Sequence, residues 1–380
     1  MRRTLILASL FAASPAGGLA QSAGDWQRIA ETLVERMALQ RGERVLLVGA
    51  AGRFEPLIPV LRAAIARTGA TDLGAMDGQA RPLDTPTPFV SAAAGLDRAA
   101  LARHFAGVDL AVMLPGPTPA DPAYAAMQDV LRAGRGRTVH FHWAGAYALD
   151  GTLLDMTGAI DATYRRALHD TDYAALAATQ AAFENAMRTA EVRVTTPLGT
   201  DLRFRIGERP ATKQDGDASA ARAARARNLI DREVELPAGA IRVAPVEESV
   251  HGTIAFPATT WQDRPVRGLM LRIDAGRVVE VRATDGGDAV EAEMAAAGSA
   301  ARRFREFALG FNPLLAVPET APWIPYYGYG AGVVRLSLGD NSELGGNVTG
   351  GYVRWNFFTD ATVRVGDAVW VRDGRLVRTQ

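Results

Sequence analysis

The side chains able to move a proton, hold a metal or grip an anion fall in a few places. Glu247 and Glu248 follow an apolar strand pattern and precede Gly252, with His251 beside them. Two acidic residues between a strand and a glycine suit a site loop. Glu306 falls at the end of a helical pattern over 288–307, where a carboxylate opposes the negative end of the helix dipole. His140 and His142, in the run VHFHW, alternate onto one face of a strand and suit metal ligation, a cleft, or half-buried hydrogen bonding. Asp150 or Asp155 facing them would strengthen the metal reading. Arg335 and Arg354 interrupt two apolar runs flanking a polar, glycine-rich loop with Asp340, Asn341, Ser342, Glu343 and Asn347. A charge inside an apolar strand needs solvent or a partner, so these arginines rim a site or snorkel to the surface.

The elements that must position these groups change character along the chain. Continuous apolar runs at 45–48, 108–114 and 138–143 read as buried parallel strands, with helical patterns at 25–41, 57–66 and 124–132 between them. Strand and helix alternate as in an open α/β sheet. Gly49-Ala50-Ala51-Gly52 has neither a dinucleotide fingerprint nor a phosphate-loop lysine. A long amphipathic helix over 171–190 closes this half. Beyond it come hairpin patterns at 192–206 and 266–283, a polar stretch over 215–227, and the strand–loop–strand of 328–358. The reading is an N-terminal open α/β domain over 21–190 and a β-rich α+β domain over 191–380, with a cleft between them. Tyr326, Tyr327, Tyr329, Trp323 and Trp355 cluster near that cleft, as core packing or as a wall for an aromatic ligand.

Composition narrows the chemistry. The 380 residues carry 42 basic and 42 acidic side chains, so no net field draws nucleic acid or an anionic membrane. There is no cysteine, which excludes disulfides, thiolate metal sites and cysteine nucleophiles. Arg2 and Arg3, an apolar run over 5–13 and small residues up to Ala20 form a secretory signal pattern. The expectation is an exported, periplasmic protein that leaves no membrane segment after cleavage over 1–20.

The ordered segments RGERVLLVG, VRVTTPLGTDLRF, NLIDREVELPAGAIRVAPVEESVHGTIAF, GRVVEVRA, REFALGFNP, VVRLSLGDN and GGYVRWNFFTDATVRVGD resemble the thermophilic-type metallo-aminopeptidases, the aminopeptidase T and S type. The same scaffold carries an iron-dependent ring-opening dioxygenase. The resemblance implies a two-domain fold with a cleft, a dimer, and a pair of divalent metals. Those metals are held by a glutamate after the "AP" strand, a second glutamate, a histidine before L-x-L-G, and a final H-x-D pair. Glu247 and Glu306 match the glutamates, Arg335 stands at the first histidine, and Arg354 and Asn356 at the H-x-D pair. Arginine has no lone pair for a metal, and asparagine offers only a neutral carbonyl.

Three functions follow from that substitution. In the first, Arg335, Arg354, Asn356 and Asn341 bind a small anionic or aromatic ligand without a metal, with Glu247, Glu306 and His251 as acid–base groups. No cofactor is expected under this reading. In the second, Arg–Glu pairs fill an inert, pseudo-peptidase site. In the third, the protein is an active metal-dependent aminopeptidase, its divalent metal drawing on Glu247, Glu306, His140 and His142.

Overall fold

The computed structural model describes residues 23–143 and 145–377. The signal pattern over 1–20 lies outside the described residues.

The first half forms the expected parallel sheet. Leu110–Met113 sits beside Arg44–Gly49 and Arg137–Phe141, and Thr71–Asp77 forms one edge. Period-two alternation splits the apolar strands between two layers. Val45 and Leu47 pack with Trp26, Ile29, Leu33 and Leu61, while Leu46 and Val48 pack with Leu101, Phe105, Met127 and Val130. Both faces are therefore covered, which is why these strands read as unbroken apolar runs. The other edge strand is Glu233–Leu236, which pairs in parallel with Arg137–Phe141. A segment from the second half thus completes the first sheet, and Ala240–Val243 then starts the next one only a short turn later.

The second half has two antiparallel sheets. A five-stranded sheet runs in the order Val353–Phe358, Val334–Gly339, Phe304–Gly310, Ala240–Val243, Ala211–Lys213. An eight-stranded sheet holds the hairpins Val192–Thr195/Asp201–Phe204 and Met270–Asp274/Arg277–Arg282. Its Phe204 meets Phe307 of the five-stranded sheet at 5.1 Å between ring centroids. Phe183 of the helix Tyr173–Thr189 packs against Phe307, Phe311 and Trp370.

The helix expected over 288–307 is shorter. It spans Gly287–Ala297 and stops at Gly298, whose φ of 86° ends the regular turn. A short 3-10 turn follows, and then the strand Phe304–Gly310. Glu306 is therefore a strand residue, and its charge opposes no helix dipole. Its side chain is 0% exposed, so its partners must be protein groups. Among the described residues no helix is long and apolar enough to cross a membrane.

Candidate functional site

Register decides which side chains of the five-stranded sheet meet. Ala308 pairs with both Arg242 and Arg335, and Glu306 pairs with Ser337. Arg335 in turn faces Phe357, and Ser337 faces Trp355. Directly opposed residues share a face. One face thus carries Arg242, Glu306, Arg335, Trp355 and Phe357. The opposite face carries Phe307, Leu309 and Leu336 toward the core, with Arg354 opposite Leu338 and Asn356 opposite Leu336. Two arginines that look equivalent in the sequence lie on opposite faces.

Glu306 is held by arginines. Arg242 Nε donates to its Oε1 at 2.6 Å and Arg335 Nη2 to the same oxygen at 2.7 Å. Arg305 Nε lies 3.5 Å from Oε2. Arg305 is the extra residue of a β-bulge between Phe304 and Glu306, which is how consecutive residues reach one cluster. Burial alone would push the Glu306 carboxyl up. The charges of Arg242, Arg335 and Arg305 overcome it and hold the group well below the usual carboxylate range. Burial likewise disfavours the Arg242 cation, yet Glu306 keeps its guanidinium more firmly protonated than usual.

The first sheet supplies the facing wall. Glu233 opposes Thr138 and Glu235 opposes His140 across the edge pairing, so all four side chains share one face. Glu235 lies 3.7 Å from Arg242 Nη1, and His140 Nε2 lies 3.7 Å from Glu233. Tyr124 Oη is 3.3 Å from His140 Nδ1, and Gln128 donates to Glu233. Burial, helped by the nearby charge of Glu343, pushes the Glu233 carboxyl up to about 7. Burial also lowers His140 to about 4, so the imidazole is neutral at ordinary pH. His140 and His142 do share a face, 5.6 Å apart between ring centroids. Their neighbours are Glu233 and tyrosines. His142 stacks on Tyr326 at 4.1 Å, and the Tyr327 ring lies tilted by 45° against Tyr326, 3.6 Å between centroids. Tyr327 has a φ of 53°, a sparsely populated backbone conformation for an aromatic residue, and its carbonyl accepts from Arg335 Nη1.

The remaining sequence-expected residues are elsewhere. Glu247 is buried and takes bonds from Arg209, Asn341 Nδ2 at 3.1 Å and the Asn347 backbone N–H at 2.8 Å. It shares none of these partners with Glu306. Burial works against its charge, but those donors keep its carboxyl below the ordinary value. His251 is exposed and bonds Asp274 and the Glu248 carbonyl at the surface. Arg354 stacks on Trp261, its guanidinium carbon 3.6 Å from the ring centroid, and pairs with Glu293 at 3.0 Å. Asn356 donates to the Leu336 carbonyl at 3.0 Å. Glu306 and Arg335 are thus brought together, while Glu247, His251, Arg354 and Asn356 stand apart from them.

Arg242, Arg305, Glu233, Glu235 and Tyr124 went unread in the sequence as site residues. The signal was present: Glu233-Val234-Glu235 and Arg242 are charges inside apolar strands, the very feature that marks Arg335.

The donor set does not fit the paired divalent metals that the resemblance implies. Glu306 is saturated by guanidinium groups. The residues sharing its face on the last strand are Trp355 and Phe357, which offer no ligand, and the Arg335 cation lies 5.3 Å from the Trp355 ring. Among the described residues no group of three or more histidines, cysteines and carboxylates is arranged to hold a metal ion. A cavity of about 470 Å³ continues this aromatic surface, lined by Tyr147, Phe256, Tyr352, Arg354, Trp355 and Phe357 among others. Tyr147 and Phe357 stack at 5.5 Å.

The sequence model of the thermophilic metalloprotease (M29) family matches residues 171–314. Among solved structures, the chain is similar to 2,5-dihydroxypyridine dioxygenase from Pseudomonas putida KT2440, with a TM-score of 0.65 and 15% identity over 95% of this chain and 99% of that one. It is also similar to wild-type AmpT from Thermus thermophilus, with a TM-score of 0.58 and 18% identity over 93% of this chain and 99% of that one. At those identities the likeness shows the fold alone. No curated protein matches the sequence. The family match is confined to residues 171–314, while the fold shared with AmpT extends over nearly the whole chain.

Proposed function

We propose that this protein uses the aminopeptidase fold to bind or act on a small anionic or aromatic ligand without a metal. The observation that carries the proposal is the face holding Glu306. It sets the guanidinium groups of Arg242 and Arg335, paired with Glu306 but with Arg335 Nε unpartnered, beside the aromatic surface of Trp355 and Phe357. Guanidinium forks bind carboxylates and stabilise developing negative charge, and flat aromatic walls take a planar ligand body. The aromatic cavity beside Trp355 and Phe357, with Arg354 as the arginine in its wall, would take the body of such a ligand.

Export through residues 1–20 and assembly as a homodimer belong to the same proposal. N-terminal sequencing of the secreted protein and sedimentation of the purified protein test them.

Elemental analysis of the purified protein comes first, followed by thermal unfolding with small aromatic carboxylates such as benzoate. The expected result is no stoichiometric zinc, cobalt, manganese or iron, and a stabilisation by benzoate that Trp355→Leu and Tyr147→Leu abolish. Stoichiometric metal with chelator-sensitive hydrolysis of amino-acid anilides would instead establish the metal-dependent aminopeptidase. Absence of any ligand response would favour an inert site, a role consistent with the internal pairing of Glu306.

A further inference from the structure

A second cavity of about 590 Å³ lies between the end of the helix Pro122–Arg132, the segment 226–232 and the loop 340–353. Four guanidinium groups line it, from Arg132, Arg227, Arg232 and Arg305, against two carboxylates, Asp340 and Glu343. Four positive less two negative leaves a net charge of +2 in its walls.

The partners of these groups sharpen the imbalance. Arg232 donates to the Gly136 carbonyl at 3.0 Å and Arg227 to the Glu208 carbonyl at 2.7 Å. Both acceptors are neutral, so the two charges stay uncompensated there. The Asp340 carboxylate is occupied by its own loop. It accepts from the backbone N–H and hydroxyl of Ser342 and from the backbone N–H groups of Gly350 and Gly351. Of the two lining carboxylates only Glu343 serves as a counter-ion, bonding Arg305 and lying 3.7 Å from Arg242; behind the walls, Arg132 pairs with Asp129 at 3.0 Å and Arg305 lies 3.5 Å from Glu306. Arg305 is 1% exposed and its Nε has no hydrogen-bond partner, whereas the Glu343 side chain is 37% exposed on the single turn Ser342–Leu344. A fixed, buried cation is thus capped by a carboxylate from a short surface turn.

We propose that this cavity is a separate ligand site for a small dianion, a phosphate monoester or a dicarboxylate, and that Glu343 is an internal carboxylate which the ligand displaces from Arg305. Net charge selects the dianion, and the guanidinium forks of Arg305 and Arg232 supply paired donors suited to phosphate or carboxylate oxygens. Glu343 keeps Arg305 compensated while the cavity is empty of ligand, so the buried cation is never left unpaired.

The test is isothermal titration of the full-length protein at constant ionic strength. Inorganic phosphate, phenyl phosphate and succinate are the dianionic probes, and acetate is the monoanionic control. Saturable binding of a dianion and none of acetate is expected; phosphate and succinate distinguish the two ligand classes. Glu343→Gln removes the competitor and should tighten binding about tenfold. Arg232→Met and Arg227→Met, at the more accessible rim, should each weaken it about tenfold. Several results would overturn the proposal: no saturable binding by wild type or Glu343→Gln at millimolar probe, unchanged or weaker binding in Glu343→Gln, or wild-type affinity in both arginine variants. Because the aromatic cavity plays no part in these titrations, failure here leaves the aromatic-ligand proposal standing.

Discussion

Replacing Glu306 by glutamine separates an arginine-clamped carboxylate from a metal ligand by the sign of its effect on stability. The glutamine keeps the shape and one acceptor oxygen but removes the charge. At separations of 2.6 and 2.7 Å from Arg242 and Arg335, each attraction is about 6 kcal/mol at an effective dielectric of 20. Much of that is offset by the desolvation of the three ions. Removing one partner of such a buried pair still costs roughly 3–5 kcal/mol, because the arginines are left uncompensated. Urea unfolding of wild type and Glu306→Gln at neutral pH reads this directly. Arg335→Met should be costly as well, and the double variant should cost at least about 1 kcal/mol less than the two single losses added. A carboxylate in an empty metal site behaves oppositely: it sits among other carboxylates, and neutralising it relieves repulsion. Equal or greater stability in Glu306→Gln would therefore refute the arginine clamp. The pH dependence gives a second check. A depressed carboxyl contributes stability that is present above the unfolded value and lost as pH falls through the folded one. The gap should persist at pH 4.5, the ordinary glutamate value, and close only in stronger acid.

Glu233 titrates in the other sense. Its carboxyl rises from 4.5 to about 7 on folding, so its contribution is present below pH 4.5 and lost as pH rises through 7. Glu233→Gln should gain on wild type by up to about 3 kcal/mol between pH 4.5 and 8, and a pH-independent difference would show that burial does not perturb it. His140, lowered to about 4 from 6.5, loses stability as pH falls through that window, so His140→Gln should be relatively favoured in acid when unfolding is followed from pH 7 to 4. Gly346→Ala should cost about 1–3 kcal/mol in thermal unfolding, since a Cβ there overlaps the Asn341 side chain that bonds Glu247. Arg354→Lys should cost about 0.5–2 kcal/mol by losing the stack on Trp261; wild-type unfolding would show that stack to be inert.

Much of the fold was legible because local pattern and burial agree. The run Val45–Val48 is apolar on both sides because helices cover both faces, and the strand–loop–strand around 340–351 follows from its flanking apolar runs and glycines. Gly339, at a φ of 123° and in close approach to the Tyr352 carbonyl, is required there by backbone geometry. The helix boundary before Glu306 failed because alanine-rich sequence propagates a helical pattern past Gly298, while tertiary pairing with Ala240–Val243 and Val334–Gly339 makes the following segment a strand.

The candidate site was half legible. A charge in an apolar strand announces a buried partner, and Arg335 has one in Glu306. The sequence carries no sign of which face each charge takes once strands pair. That is how Arg354 came to be grouped with Arg335, although the pairing of Arg335 with Phe357 sets them on opposite sides. Glu233 and Glu235 became site residues only because their strand pairs with one made about a hundred residues earlier, a non-local pairing that no window of sequence reports.

That late pairing has a consequence for synthesis. Until Glu233–Leu236 has been made, the strand Arg137–Phe141 is an open edge, its backbone donors and acceptors on that side bare. At 5–20 residues per second, the interval from residue 141 to residue 236 lasts roughly 5–20 s. During that interval the nascent chain carries a template for pairing with other chains. A fragment ending at residue 190 would hold that state permanently, so the two halves are separable on paper and inseparable in the making.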